Sequence, residues 1–222
     1  SAELLEINPN TGERLDYIDV ANQLEGIRQK YSSDSIGVDF DYHIIGFAKV
    51  IGDIATGATR VVLFFLIAFI ITAVFVYVYS QSLQLTVIPL VGSTIAVIWQ
   101  LGLLTVLGFG IDPMSILVPF LVFAIGVSHG VQMISAHGAE VFTGASSLEA
   151  ARAAFRRLLV PGAVALLTDT IGFITILFIE IRMIQEMAIT AALGVGVIIF
   201  TNLGLVPVLL SYVRHDEIYP LK

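Results

Sequence analysis

The chain has 222 residues, 57% of them hydrophobic and 13% charged, with a net charge of −7. Its mean hydropathy of +0.92 lies far outside the range of soluble domains. The acidic balance argues against a nucleic-acid-binding face, and the absence of cysteine excludes a disulfide framework or thiol site.

The first sixty residues hold ten acidic and five basic side chains, whereas Val61 to Ile111 contains no Asp, Glu, Lys or Arg. That contrast divides the chain into a polar segment over 1–59, a membrane domain over 60–213 and a short tail over 214–222. In the polar segment, Ala2–Ile7 reads as a strand followed by the turn-rich Asn8–Gly12. Asp16–Lys30 carries Ile18, Ala21, Leu24 and Ile27 at helical spacing. From Ile36 to Ile44 apolar and polar residues alternate, the period of a half-buried strand. Sixty residues of mixed α and β structure bury too little surface to fold alone. The reading is of part of a larger outer domain.

Five spans follow: Val61–Tyr79, Thr86–Leu107, Met114–Ala136, Val160–Ile179 and Met187–Val213. Each is close to the roughly 20 residues that cross a ~30 Å hydrocarbon core. Pro207 is placed to kink the last span or end its regular part. The fold class predicted is a mainly α, polytopic helix bundle with a small partial α+β periplasmic segment. Arg152, Arg156 and Arg157 lie between spans three and four, and Arg214 and Lys222 follow span five. The positive-inside rule puts both regions in the cytoplasm and residues 1–59 outside, so the expected location is a bacterial inner membrane with a periplasmic N-terminal segment. Ser146 and Glu149 have capping-box spacing, and Leu148, Phe155, Leu158 and Leu159 fall near one helical face. Residues 146–159 therefore read as an amphipathic helix lying at the cytoplasmic interface.

Asp169 is the only charge in the 20-residue fourth span, and His129 is the only histidine inside the spans. A carboxylate at mid-bilayer costs about 2.5–3.5 kcal/mol on insertion scales. Counted from the cytoplasmic ends, Asp169 lies about 13 Å deep and His129 about 10 Å. An acid and an imidazole at matching depth on neighbouring helices are the parts of a proton relay, or else of a static hydrogen-bonded link. Gly162, Ala165, Asp169 and Gly172 form a small-residue stripe, and Ser128, His129, Gln132 and Ser135 share an arc of roughly 120°. Both faces are predicted to meet protein rather than lipid. Thr168 and Asn202 are supporting polar groups, and Gln100 and Asn202 are candidates for hydrogen bonds across helices. Trp99 is assigned to the core.

Gly126-Val127-Ser128-His129-Gly130 spells a nucleophile elbow, but that motif requires a strand, a sharp turn and a helix. Inside an apolar helix Gly126 and Gly130 read as packing glycines, and Ser128 and His129 point about 100° apart. No enzyme is expected. His129 and His137 lack metal-site spacing, so neither a metal nor a cofactor is implied.

Four segments carry a family resemblance: Gly110–Ser115, Gly126–Gln132, Leu167–Phe173 and the connector Ala151–Phe155. In their order the chain resembles the resistance–nodulation–division (RND) transporter superfamily, on the branch that groups MMPL-type lipid exporters with Patched and sterol-sensing-domain proteins. The resemblance covers roughly residues 35–213. It implies twelve spans in two repeats, each with a large periplasmic porter loop. This chain would then be the end of the first loop plus spans two to six, with the second repeat as a missing partner. Many relatives carry a relay aspartate on the fourth span where this sequence has Ser128, so Asp169 with His129 would take that role. The implied function is proton-motive-force-driven export of hydrophobic or amphiphilic molecules, lipids or drugs. The alternatives are a sterol-sensing-type lipid-binding module and an accessory subunit of protein export. Implied partners are membrane lipid, substrate and protons; a homo-oligomer and a periplasmic partner both stay open.

Overall fold

A computed structural model of the chain describes residues 17–31, 44, 46–109 and 115–213. No strand occurs among them. The expected strand over 2–7 lies outside the described residues, as does all of the second except Ile44, which is irregular. Residues 1–64 and 65–222 form two compact units.

In the first unit, helix α1 (Tyr17–Lys30) follows the predicted periodicity. Its polar face is tied by Gln23 donating to Asp19 at 2.8 Å and by Arg28 to Glu25 at 2.7 Å. Lys49 approaches the same carboxylate at 3.7 Å. The Arg28 hydrogen bond holds the Glu25 carboxyl below its usual pKa.

Helix α2 (Phe47–Ser80) contains the first span, Arg60–Ser80, and begins well before the apolar stretch. Its turn is tight: Gln81 takes a φ of 50°, and the Ser80 and Thr86 hydroxyls meet at 2.9 Å across it. Helix α3 (Leu83–Val106) carries Pro89 in its interior. Having no N–H, Pro89 leaves the usual donor position to the Leu85 carbonyl empty. Gly108 (φ 78°) ends α3 with its N–H on the Thr105 carbonyl and that of Phe109 on Leu104. This is the Schellman arrangement, which needs a left-handed residue.

After a 3₁₀ turn over Ser115–Leu117, helix α4 runs from Val118 to Phe142, six residues beyond the expected end. A second Schellman closure uses Gly144 (φ 95°), and the chain re-enters helix at once. Helix α5 (Ser147–Thr175) opens with the predicted capping box: Glu149 N–H donates to Ser146 Oγ at 3.3 Å, and Ser146 N–H to Glu149 Oε2 at 3.0 Å. It then passes Pro161 without a break. The arginine-bearing connector is therefore the first half of the fourth spanning helix, not a separate interfacial one. Having no N–H, Pro161 leaves the usual donor position to the Arg157 carbonyl empty.

A 3₁₀ turn (Ile176–Phe178) leads to α6 (Arg182–Phe200), a π-helical turn over Thr201–Leu205 and α7 (Val206–Leu210). The widened turn lies just before Pro207, whose missing N–H leaves the usual donor position to the Leu203 carbonyl empty, so the regular part of the helix is interrupted there.

Helices α3, α4 and α6 make the centre of the second unit, and glycines set their separation. A methyl on Gly130 would lie 2.5 Å from Pro89 Cβ, and one on Gly126 would lie 2.7 Å from Ser93 Oγ, both on α3. Gly194 of α6 packs as tightly against Val122 and the Gln100 amide. Phe65 and Phe69 of α2 stack edge-on or tilted against Phe120 and Phe123 of α4, at 4.9–5.4 Å between centroids.

Candidate functional site

The buried glycine face of α4 fixes what its other face presents. Opposite Gly126 and Gly130, the residues Ala124, Ser128, Gln132, Ser135 and Ala139 form an exposed line. Their spacing of three and four residues keeps them on one side over about four turns. His129 sits at the edge of this line, half-buried, with Nδ1 3.0 Å from the carbonyl of Ile125 one turn back.

Neighbouring α5 has one fully buried residue in its spanning half, Leu166. Asp169, three residues on, is rotated about 60° from Leu166 toward the flank of Leu158. Leu158, with Arg157, shares a cavity of about 450 Å³ with Tyr79, Gln132, Ser135 and Ala139. By helical spacing Asp169 thus shares a flank of α5 with Leu158, about three turns further along, and does not itself line this cavity. Asp169 is exposed, and no hydrogen bond or ion pair joins it to His129 or to any other described residue. The imidazole turns back onto its own helix instead. Beside Asp169, Thr168 is exposed and returns its hydroxyl to the Val164 carbonyl at 2.8 Å. Of the small-residue stripe, only Gly162 meets a neighbour, since a methyl added there would lie 3.1 Å from Leu203 Cδ2; Ala165 and Gly172 are exposed. Beyond Gly162 the stripe is therefore open, whereas its composition suggested packing along its whole length. Small residues permit close approach but do not choose the side on which it happens.

Two polar residues lie at the centre instead. Gln100 is fully buried and donates from Nε2 to the Thr190 carbonyl of α6 at 3.0 Å. Asn202, in the π turn, is 1% exposed; neither atom of its amide has a hydrogen-bond partner. Its Oδ1 lies beside Gly130 and Gly92, at the level of His129. His137 is also fully buried, inside α4 and not at its end, since the helix continues past the expected boundary at Ala136. Trp99 is 54% exposed and belongs to the outer face, not the core. An indole tolerates a lipid-facing position, so depth in the span alone does not fix its side. Among the described residues no cluster of three metal-ligating side chains occurs.

The spans that form this cavity and centre also carry a family signature. A family model described as "sterol-sensing domain of SREBP cleavage-activation" matches residues 77–217, well over half of the chain. The chain belongs to the sterol-sensing domain family. No curated protein and no solved structure matches it. The sterol-sensing match begins in the last turn of α2 and takes in α3 to α7, including Ser128, His129, Asp169 and Asn202. With five helices among the described residues long and apolar enough to cross a bilayer, this is a multi-pass membrane module of a lipid- and sterol-related kind.

Proposed function

We propose that this chain is a non-enzymatic lipid-binding membrane module that takes a hydrophobic or amphiphilic molecule from the bilayer. The observation that carries this reading is an apolar groove of about 550 Å³, bounded by α5 on one side and by the end of α6, the π turn and α7 on the other. Pockets of this volume and lining suit small apolar ligands. The walls include Leu203 of the π-helical turn and Pro207 just after it, so occupancy bears on that turn. Lipid that co-purifies with the chain should fall several-fold in Val208→Trp, which fills the groove from an exposed wall position. Undiminished lipid in a well-folded variant would remove the groove from the account.

Asp169 favours a second reading, the proton-motive-force-driven RND-type exporter of a bacterial inner membrane. A lone carboxyl at mid-span is costly and is most often functional. The exposed polar face of α4 and α5 would then be a seam for a second repeat or another copy. Asp169 and His129 would exchange protons there, with residues 1–59 as the end of a periplasmic porter domain. In an efflux assay on the intact protein, Asp169→Asn keeps size and loses titration, so it should abolish transport at normal membrane levels. Wild-type efflux would eliminate Asp169 as the proton carrier.

A further inference from the structure

The apolar groove has one polar end. Of the side chains that line it, only Arg152 and Ser211 are polar. Both belong to the same mouth, since the Ser147 hydroxyl, one turn before Arg152, bonds the carbonyl of Val213, just past Ser211. From Arg152 to Ala163 along the α5 wall is about 16 Å, close to half of a ~30 Å hydrocarbon core. Arg156, one turn beyond Arg152, lies on the same flank of α5. Neither guanidinium is in an ion pair among the described residues. Glu149, three residues before Arg152, feels its charge, but its carboxylate is hydrogen-bonded by the Ser146 backbone and hydroxyl. By the positive-inside rule this mouth is at the cytoplasmic surface.

We infer that the groove holds one anionic lipid of the cytoplasmic leaflet, with an acyl chain along Phe155, Leu159, Ala163 and Leu203 and its phosphate on Arg152 and Arg156. The inference rests on the lipid-module reading and names the ligand class. Guanidinium groups match phosphate oxygens in charge and in paired-donor geometry. Basic pockets between helices at the cytoplasmic face are a recurrent form of lipid-headgroup recognition. A sterol, with a single uncharged hydroxyl, would offer neither guanidinium a counter-charge.

The test is native mass spectrometry of the full chain, released from micelles containing phosphatidylglycerol, phosphatidylcholine and cholesterol in equal amounts. The wild type should retain one phosphatidylglycerol in preference to the other two. Arg152→Gln and Arg156→Gln should each lower that retention roughly fivefold, the change that corresponds to about 1 kcal/mol per surface arginine. Arg157→Gln, on the other flank of α5, should leave it unchanged. Equal loss in all three variants would mean general attraction to a basic surface and would overturn the site. Retention of cholesterol or phosphatidylcholine by the wild type as strongly as phosphatidylglycerol, unchanged in Arg152→Gln but lost in Val208→Trp, would overturn the anionic specificity and leave the lipid-binding groove standing. No retained lipid in the wild type, with Val208→Trp indistinguishable from it, would overturn both.

Discussion

Gly130 and Gly172 stand on adjacent spanning helices, yet an added methyl meets opposite surroundings. At Gly130 it would lie 2.5 Å from Pro89 Cβ and 3.1 Å from its Cα, so a ring and a helix backbone must move. Overpacking of that kind costs about 1–3 kcal/mol. At Gly172 nothing lies within 4 Å. Gly130→Ala should therefore lower the thermal unfolding midpoint in detergent, and Gly172→Ala should leave it unchanged or slightly raised. Equal midpoints would mean that α3 and α4 do not meet at this glycine. Asn202 supports a different expectation. A buried amide with no partner costs about 1–3 kcal/mol. Asn202→Leu, of similar size, should therefore keep or raise stability in the same assay. A marked loss would show that the amide holds a water or another polar group in the native state.

At the scale of the element, a local helix cap is where sequence and structure agree most closely. The Ser146–Glu149 box forms as its spacing predicts, since both partners are local. Ser146→Ala should cost about 1 kcal/mol, read as faster hydrogen exchange in the first turn of α5 with exchange near Leu166 unchanged. Equally fast exchange in the wild type would show that the cap does not restrain this turn. The spans themselves were legible from hydropathy, because apolar length is a property of each segment alone. What was not legible is which way each helix faces. The Gly162–Gly172 stripe and the Ser128–Ser135 arc are correctly seen as single faces, but composition does not say which neighbour a face meets. Gly126 and Gly130 take the inner side of α4, and that choice turns Ser128 and Gln132 outward. The π turn was foreshadowed only by Pro207, since widening of a helix has no hydropathy signature.

For the whole molecule, an odd number of spans puts the two ends of the membrane domain on opposite sides of the bilayer. By the positive-inside rule the exposed arginines of α5 are expected to mark the cytoplasmic side, since Arg152, Arg156 and Arg157 cluster at the α4–α5 turn while the α6 start has only Arg182, itself paired with Glu186 at 2.9 Å. The cytoplasmic side should thus hold Thr143 and the C-terminal tail, and the opposite side α1 and Ile181. The chain contains no cysteine, so single substitutions report without background. In spheroplasts, an impermeant maleimide added outside should label Gln23→Cys and Ile181→Cys but reach Thr143→Cys only after the membrane is permeabilised. The reverse pattern would invert the topology. It would also move the arginine mouth of the α5 groove to the outer leaflet, so the same labelling decides from which leaflet the groove is filled.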